Sequence, residues 1–381
     1  MEFEFSEQQI EFKNLIHAFA KARIAPFAPL WDETEQFPLE TVLELGEMGA
    51  FGIIFPESYG GLNLDFTTLC IAIEELARFD SSIAITLSAA VGLGATPIYL
   101  FGTDEQKQKY LPDMCAGRSL GAFGLTEPDA GSDASALKTS ATFDPSSNTW
   151  SLNGSKAFIT NSGTSITTVT TVAARVKDGF SAFLVPRGTP GLTVGQAYRK
   201  MGWHASDTHP LYLDDVKIGP EGVLGEMGHG LSHFLSVLDN GRIAIAALAV
   251  GLAQGCLDEA TSYAKSRIAF GGPIGRNQAI AFALSDMAAN VEAARLLTYK
   301  AAWKKDNGQN YTQAAAIAKL MATQYAVDAT RTATQIFGGM GFIEGTTVVR
   351  HYRDAKILEI GEGSSEIQRI VIARSLGLPV P

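Results

Sequence analysis

The chain has 381 residues, 46% of them hydrophobic and only 18% charged, with a formal net charge of -10. That is apolar material for two or three domains rather than one core, with part of the low-charge surface expected to be buried between subunits. The acidic balance argues against nonspecific nucleic-acid binding, which depends on clustered Lys and Arg, but leaves room for a local basic pocket that takes a small anion.

The first third reads as helical. Ser6-Glu7-Gln8-Gln9 has the form of a capping box, and Ile10, Leu15, Ile16 and Phe19 follow at helical spacing. Ala25-Pro26 stops that helix. Further helices are expected over roughly Leu39 to Met48, Phe66 to Arg78 and Ile83 to Leu100, with a loop at Gly60-Gly61. Thr103-Asp104-Glu105-Gln106 opens a short one, its acids suited to the helix N-terminus.

Character changes near Gly121. From there to about Gly230 the chain is rich in Thr, Ser, Val and Gly. Asp144 to Asn148 reads as a turn between Ala141-Thr142-Phe143 and Trp150-Ser151-Leu152. Ile166 to Val176, Phe180 to Val185, Leu192 to Val194 and Leu211 to Val216 are further short runs. Such spacing implies a small antiparallel barrel or sandwich. Helix returns at about Leu231 as Ala-rich, bundle-like segments. Breaks are expected at Phe270-Gly271-Gly272-Pro273, near Asn307-Gly308 and at Gly338 to Gly341. The expected organisation is a multi-domain α+β protein: an all-α domain over 1–121, a β domain over 122–231 and an α-bundle over 232–381.

Cys70, Cys115 and Cys256 are far apart and lack metal-ligand spacing, so reduced, buried thiols are expected. The six histidines are dispersed, and no metal is expected. The acidic N-terminus lacks the layout of a signal peptide. Apolar runs such as Ile243 to Leu252 reach about half of the roughly 20 residues a bilayer span needs. These features predict a soluble cytoplasmic protein without a membrane segment, a processed mitochondrial form being the weaker alternative.

Chemistry concentrates in a few segments. Gly361-Glu362-Gly363 sets a carboxylate between two glycines just before a helix start, where the backbone can turn sharply and approach a ligand. Alone, this turn is common on protein surfaces. Phe123-Gly124-Leu125-Thr126-Glu127-Pro128-Asp129-Ala130-Gly131-Ser132-Asp133 opens the β domain as a loop with exposed N–H groups and hydroxyls, suited to a phosphate or a flavin edge. It is neither a P-loop nor a Gly-x-Gly-x-x-Gly turn.

Leu125-Thr126-Glu127-Pro128 with Ala130-Gly131-Ser132-Asp133 resembles the signature of the acyl-CoA dehydrogenases. So do Asn153 to Asn161, Asp239-Asn240-Gly241-Arg242-Ile243, Arg267-Ile268-Ala269-Phe270-Gly271, Gln335-Ile336-Phe337-Gly338-Gly339 and Gly361-Glu362-Gly363, in order over essentially the whole chain. The resemblance implies FAD, an acyl-CoA substrate and a trans-2-enoyl-CoA product. The α-hydrogen leaves as a proton, the β-hydrogen goes to flavin N5 as a hydride, and electrons pass to an electron-transfer flavoprotein. It also implies a homo-oligomer, a tetramer in this family.

By the same resemblance Glu362 is the base. Its backbone N–H and a ribityl hydroxyl would hold the thioester carbonyl, with Gly363 beside the substrate. Some relatives carry the base at the position occupied here by Gly241, which cannot act, and this sharpens the choice of Glu362. Phe123, Leu125, Thr126, Gly131, Ser132, Phe158, Ile159 and Thr160 are implied to hold the cofactor from the β domain. Thr126 would meet the pyrimidine side, Phe158 the isoalloxazine and Thr160 the region of N5. Arg267, Phe270 and Gln278 would reach the FAD of a neighbouring subunit. Gln335, Ile336, Gly338 and Gly339 would supply a further dinucleotide contact, and Ser364, Ser365 and Glu366 would lie near the adenylate. Ser132, Asp239 and Arg242 are implied to contact the CoA arm. Small residues at Ser88, Ala89, Ala90, Gly92 and Gly94 would leave room for a short or branched acyl group. The alternatives are a flavin oxidase or monooxygenase on the same scaffold, disfavoured by the presence of Glu362, and a nucleic-acid-binding relative, which would require an added basic domain.

Overall fold

A computed structural model describes residues 4–380. Its helical start is α1 (Glu7–Phe19), α2 (Ala28–Thr34), α3 (Leu39–Glu47), α4 (Phe66–Ala77), α5 (Ser81–Ser88), α6 (Thr96–Phe101) and α7 (Asp104–Cys115). The capping boxes at Ser6–Gln9 and Thr103–Gln106 form in full. Asp65 and Asp80 cap α4 and α5 by accepting from backbone N–H groups. The chain turns after Ile24, as Ala25-Pro26 requires, but α2 follows at once, with Pro29 in its first turn. Its lack of apolar periodicity hid it from the sequence reading. The helix expected from Ile83 to Leu100 is interrupted by a π-helical stretch over Ala89–Ala95, almost all of it buried.

The middle of the chain forms β1 (Leu120–Gly124), β2 (Ser140–Asp144), β3 (Thr149–Thr160), β4 (Thr167–Val176), β5 (Gly179–Pro186), β6 (Leu192–Val194), β7 (Thr208–Ile218) and β8 (Val223–Leu224). The sheet runs in the order β6-β7-β3-β2-β4-β5-β8, with β1 added on β4. Most pairs are antiparallel, but β1–β4 is parallel, as is the single Ser140↔Arg175 contact of β2 with β4. The expected antiparallel β domain is present, with the β1–β4 pairing and this one contact as parallel exceptions. The first was not expected because β1 meets a strand some 47 residues later (Leu120↔Thr167), a pairing that no local spacing reveals. Phe123 accordingly lies on a strand, not in the expected loop. Leu152, Val172, Phe183, Val185 and Val216 fill the core of the sheet.

The chain closes with α8 (Gly230–Ser266), a hairpin of β9 (Ile268–Ala269) and β10 (Gly272–Pro273), then α9 (Gln278–Asp306), α10 (Thr312–Phe337), α11 (Thr347–Leu358) and α12 (Ser365–Ser375). The breaks fall where the glycines predicted them. Residues Ile243 to Leu252 of α8 are all fully or almost fully buried, as a helix apolar on every side requires; α10 and α4 pack along it.

Two helical stretches, Ser81–Phe101 and Gly230–Ser266, are long and apolar enough to cross a membrane. This corrects the count of uninterrupted apolar runs, which overlooked windows in which Ser, Thr and Gly interrupt Ala, Ile and Leu. In both, about four-fifths of the apolar window is buried inside the protein (83% and 78%), so they serve as core helices here.

A buried polar node joins the three parts. Asp354 on α11 accepts from Ser81 Oγ at 2.6 Å and from the Trp203 backbone N–H at 2.6 Å. Trp203 Nε1 donates to Ser81 Oγ at 3.1 Å, and Arg350 pairs with Asp80 at 3.1 Å. The three cysteines are buried and free.

Candidate active site

The Gly361-Glu362-Gly363 turn links α11 to α12. Glu362 has φ +52° and Gly363 φ +92°, consecutive left-handed residues. The conformation is uncommon for a residue with a Cβ and persists only where the surroundings impose it. Gly361 N–H donates to Ile357 at 2.8 Å, Ser365 N–H to Glu359 at 2.9 Å and Gln368 N–H to Ser364 at 2.9 Å. Ser364 caps α12 through Ile367 N–H. The Gly363 carbonyl accepts from Lys319 Nζ at 2.6 Å and from Gln368 Nε2 at 2.7 Å.

This frame turns the Glu362 side chain inward. The residue is half-buried, but its Oε2 is buried and has no hydrogen-bond partner. Burial pushes the carboxyl up to about 7, against the opposing pull of Lys319 and Arg242. A Cβ placed on Gly241 would stand 1.9 Å from that oxygen. Gly241 therefore makes room for the carboxylate, and the two positions where this resemblance allows a base share one space. Next along α8, Arg242 is buried and paired with Asp239, whose other oxygen accepts from Thr312 Oγ1 at 2.8 Å.

The β-domain segments converge as well. The Thr126 carbonyl accepts from Ala157 N–H at 2.9 Å, which sets the Leu125-Thr126 segment beside the start of Phe158-Ile159-Thr160; Ile159 and Thr160 pair with His209 and Thr208 of β7. Leu125 and Ile159 are buried. Phe158 has φ +61° and 64% of its surface exposed, and its ring leans on Tyr198 at 5.2 Å. Phe123 packs on Phe234 of α8 at 4.4 Å. Gly131 and Ser132 lie on an exposed loop.

The residues under this platform were missed. Glu127 and Lys156 form a buried ion pair at 2.8 Å. Glu127 also accepts from the N–H groups of Lys138 and Thr139 at 2.6 and 2.9 Å. Desolvation lowers Lys156 to about 8. The only sequence signal was that both charges fall inside the two segments quoted for the resemblance.

A third group lies elsewhere. Tyr263 of α8 stacks on Phe337 of α10 at 4.3 Å, so Arg267, just past α8, and Gln335 to Gly339 share one end of the bundle. Gln335 is sixteen residues beyond Lys319, about 24 Å along the helix. Arg267, Phe270, Gln278, Gln335, Gly338 and Gly339 are exposed, Phe270 at 95%, while Ile336 is half-buried. Within one chain these residues do not join the Glu362 pocket. Ser364 and Ser365 sit at the turn itself, and Glu366 faces solvent beside it. His204 and His209 each engage both ring nitrogens, with Asp32 and Lys200 carbonyls and with Gly195 and Asp207.

Comparison with known proteins shows the family. Residues 6–118, 122–216 and 228–377 match the N-terminal, middle and C-terminal domains of acyl-CoA dehydrogenase. The chain belongs to the acyl-CoA dehydrogenase family. A probable acyl-CoA dehydrogenase of Bacillus subtilis is 46% identical over 380 residues, 99% of this chain and 100% of that one. Butyryl-CoA dehydrogenase from Megasphaera elsdenii superposes with a TM-score of 0.96 at 44% identity, covering 99% and 100% of the two chains. A chain solved in work on the electron transferring flavoprotein of Acidaminococcus fermentans matches at 0.96 and 43%, covering 99% of each. The protein is thus an enzyme with the acyl-CoA dehydrogenase fold: a helical N-terminal part, a β middle and a helical C-terminal part. The family is FAD-dependent.

Proposed function

We propose that this acyl-CoA dehydrogenase oxidises a short acyl-CoA thioester to its trans-2-enoyl-CoA, with Glu362 removing the α-proton. The observation that carries this reading is the buried, unpartnered Glu362 Oε2 on a left-handed turn, held at about 7 by desolvation. A general base is most effective with its pKa near the working pH. An α-C–H beside a thioester is very weakly acidic, so the base must be unsatisfied and desolvated when it meets the proton. Glu362 meets both conditions. Among the described residues nothing accepts from the Glu362 backbone N–H, which would be available to the thioester carbonyl as an oxyanion-type contact.

The residues present fit FAD. The exposed Phe158 ring, raised on a positive φ beside the Thr126 backbone, is a face that an isoalloxazine would cover. An added Cβ on Gly131, Gly338 or Gly339 meets nothing within 4 Å, leaving space for a dinucleotide. FAD, when bound, supplies the hydride acceptor. Phe123, Leu125, Thr126, Phe158, Ile159 and Thr160 would hold its ring end, with Ser132 at the phosphates. Asp239 and Arg242 would orient the CoA arm.

Arg267, Phe270, Gln278, Gln335, Ile336, Gly338 and Gly339 serve the same cofactor in a neighbouring subunit on this reading, with Glu366 near the adenylate. Phe270 and Phe342 are 95% and 86% exposed in the single chain, and such apolar surface at the same end of the bundle fits a homotetramer. Electrons would leave to an electron-transfer flavoprotein, in keeping with the similarity to the Acidaminococcus chain.

The test is anaerobic mixing of the yellow protein with straight and branched acyl-CoAs, following flavin bleaching and product mass. Butyryl-CoA or a similarly short thioester should bleach fastest and yield the enoyl-CoA. Bleaching fastest with long chains would overturn the substrate assignment. No bleaching with any thioester would overturn the function.

A further inference from the structure

Lys319 is, with Lys156, a fully buried lysine, but where Lys156 pairs with Glu127, Lys319 has no carboxylate within ion-pair distance among the described residues. It lies on α10, its side chain is 0% exposed, and its hydrogen-bond partner among the described residues is the Gly363 carbonyl, at 2.6 Å. A buried ammonium loses its hydration at a cost of several kcal/mol, which one neutral carbonyl does not offset. That carbonyl already accepts from Gln368 Nε2 at 2.7 Å. A second donor is therefore not needed for satisfaction, and a leucine or methionine would pack the site more cheaply.

What the ammonium adds is charge at a particular place. The turn it grips carries Glu362, whose Oε2 is buried without a partner. The charged groups around the two are few. Arg242 faces them from α8 with its charge shared with Asp239, and Glu359 and Glu366 flank the turn in sequence. Glu359 is itself paired with Lys356 at 2.7 Å, and Glu366 faces solvent. Of these carboxylates, Glu362 acts most strongly on the ammonium.

We propose that Lys319 is a positioning residue for the base: its ammonium pins the Gly363 carbonyl, holds the Glu362–Gly363 turn left-handed, and favours the ionised, proton-accepting carboxylate. The proposal rests on the reading of Glu362 as base. The mutual influence is in keeping with it: burial lowers Lys319 to about 8 while Glu362 raises it, and Lys319 is the leading charge that restrains the rise of Glu362. Gln368 and Lys319 divide the task, since both hold the turn but only Lys319 carries charge.

The experiment compares Lys319→Met, Lys319→Arg and Gln368→Leu holoenzymes with wild type, recording kcat and kcat/KM for butyryl-CoA from about pH 5.5 to about pH 9.5, with flavin content and circular dichroism as checks of folding. The kcat/KM acid arm reports the free enzyme's base. In Lys319→Met it should move up by about one pH unit, because an attracting cation is gone. Its plateau kcat should fall about tenfold, because the turn is loosened. Gln368→Leu should lower the plateau and leave the arm in place. Lys319→Arg, which keeps the charge, should restore the arm. An unmoved arm in folded Lys319→Met, or an equal shift in Gln368→Leu, overturns the proposal. If Lys319→Met does not fold, the other two variants decide: an arm displaced in either overturns it, and arms at the wild-type pH support it. Glu362→Gln, run alongside, separates the two readings, since activity in that variant would sink the base assignment itself.

Discussion

At the scale of single residues, the chemistry turns on space as much as on charge. Gly241 matters because a Cβ there would meet Glu362 Oε2 at 1.9 Å. Gly241→Ala should displace the carboxylate and lower kcat/KM by about a hundredfold with an unchanged far-ultraviolet spectrum; near-wild-type turnover would show that the oxygen does not work from this position. The raised Glu362 carboxyl also fixes a pH dependence. The base must be ionised to accept a proton, so kcat/KM should fall as pH drops below about 7, approaching tenfold per unit. Glu362 was legible in the sequence because two glycines flank it and other family segments precede it in order. Lys319 was not. A lysine in an Ala-rich helix reads as a solvent-facing charge, and nothing local shows that its ammonium ends under a turn 44 residues away.

At the scale of elements, the β platform depends on a pair of charges that join two segments. Lys156 is fully buried and Glu127 nearly so. Removing one partner leaves the other charged and desolvated, so Lys156→Met should destabilise the protein by about 3 kcal/mol and weaken flavin retention, read by thermal melts and by the flavin-to-protein absorbance ratio. Helix starts were readable where a side chain caps a backbone, as at Ser6 and Thr103. Strands were readable from β-branched runs. The parallel β1–β4 pairing and the π-helical stretch at Ala89–Ala95 were not, because both are imposed by distant packing rather than by local preference.

At the scale of the molecule, the node of Asp354, Ser81, Trp203, Arg350 and Asp80 holds the helical parts against the β middle. Asp354→Ala strips two donors of their acceptor and should cost about 3 kcal/mol, seen as a lower Tm. Asp354 is raised to about 6 by burial and by the nearby Asp80. A carboxyl raised on folding contributes most below its unfolded value near 4, and that contribution is lost as pH rises through about 6. The Tm of Asp354→Asn relative to wild type should therefore improve between pH 5 and pH 7; a constant difference would argue against a raised Asp354. The central claim is that a desolvated Glu362, on the turn between α11 and α12 and facing α8 and α10, takes the α-proton. The most direct measurement is anaerobic stopped-flow mixing of wild type and Glu362→Gln with butyryl-CoA. The account predicts that both bind the thioester, that wild type bleaches its flavin, and that the Gln variant does not. Bleaching of the Gln variant at the wild-type rate would contradict it.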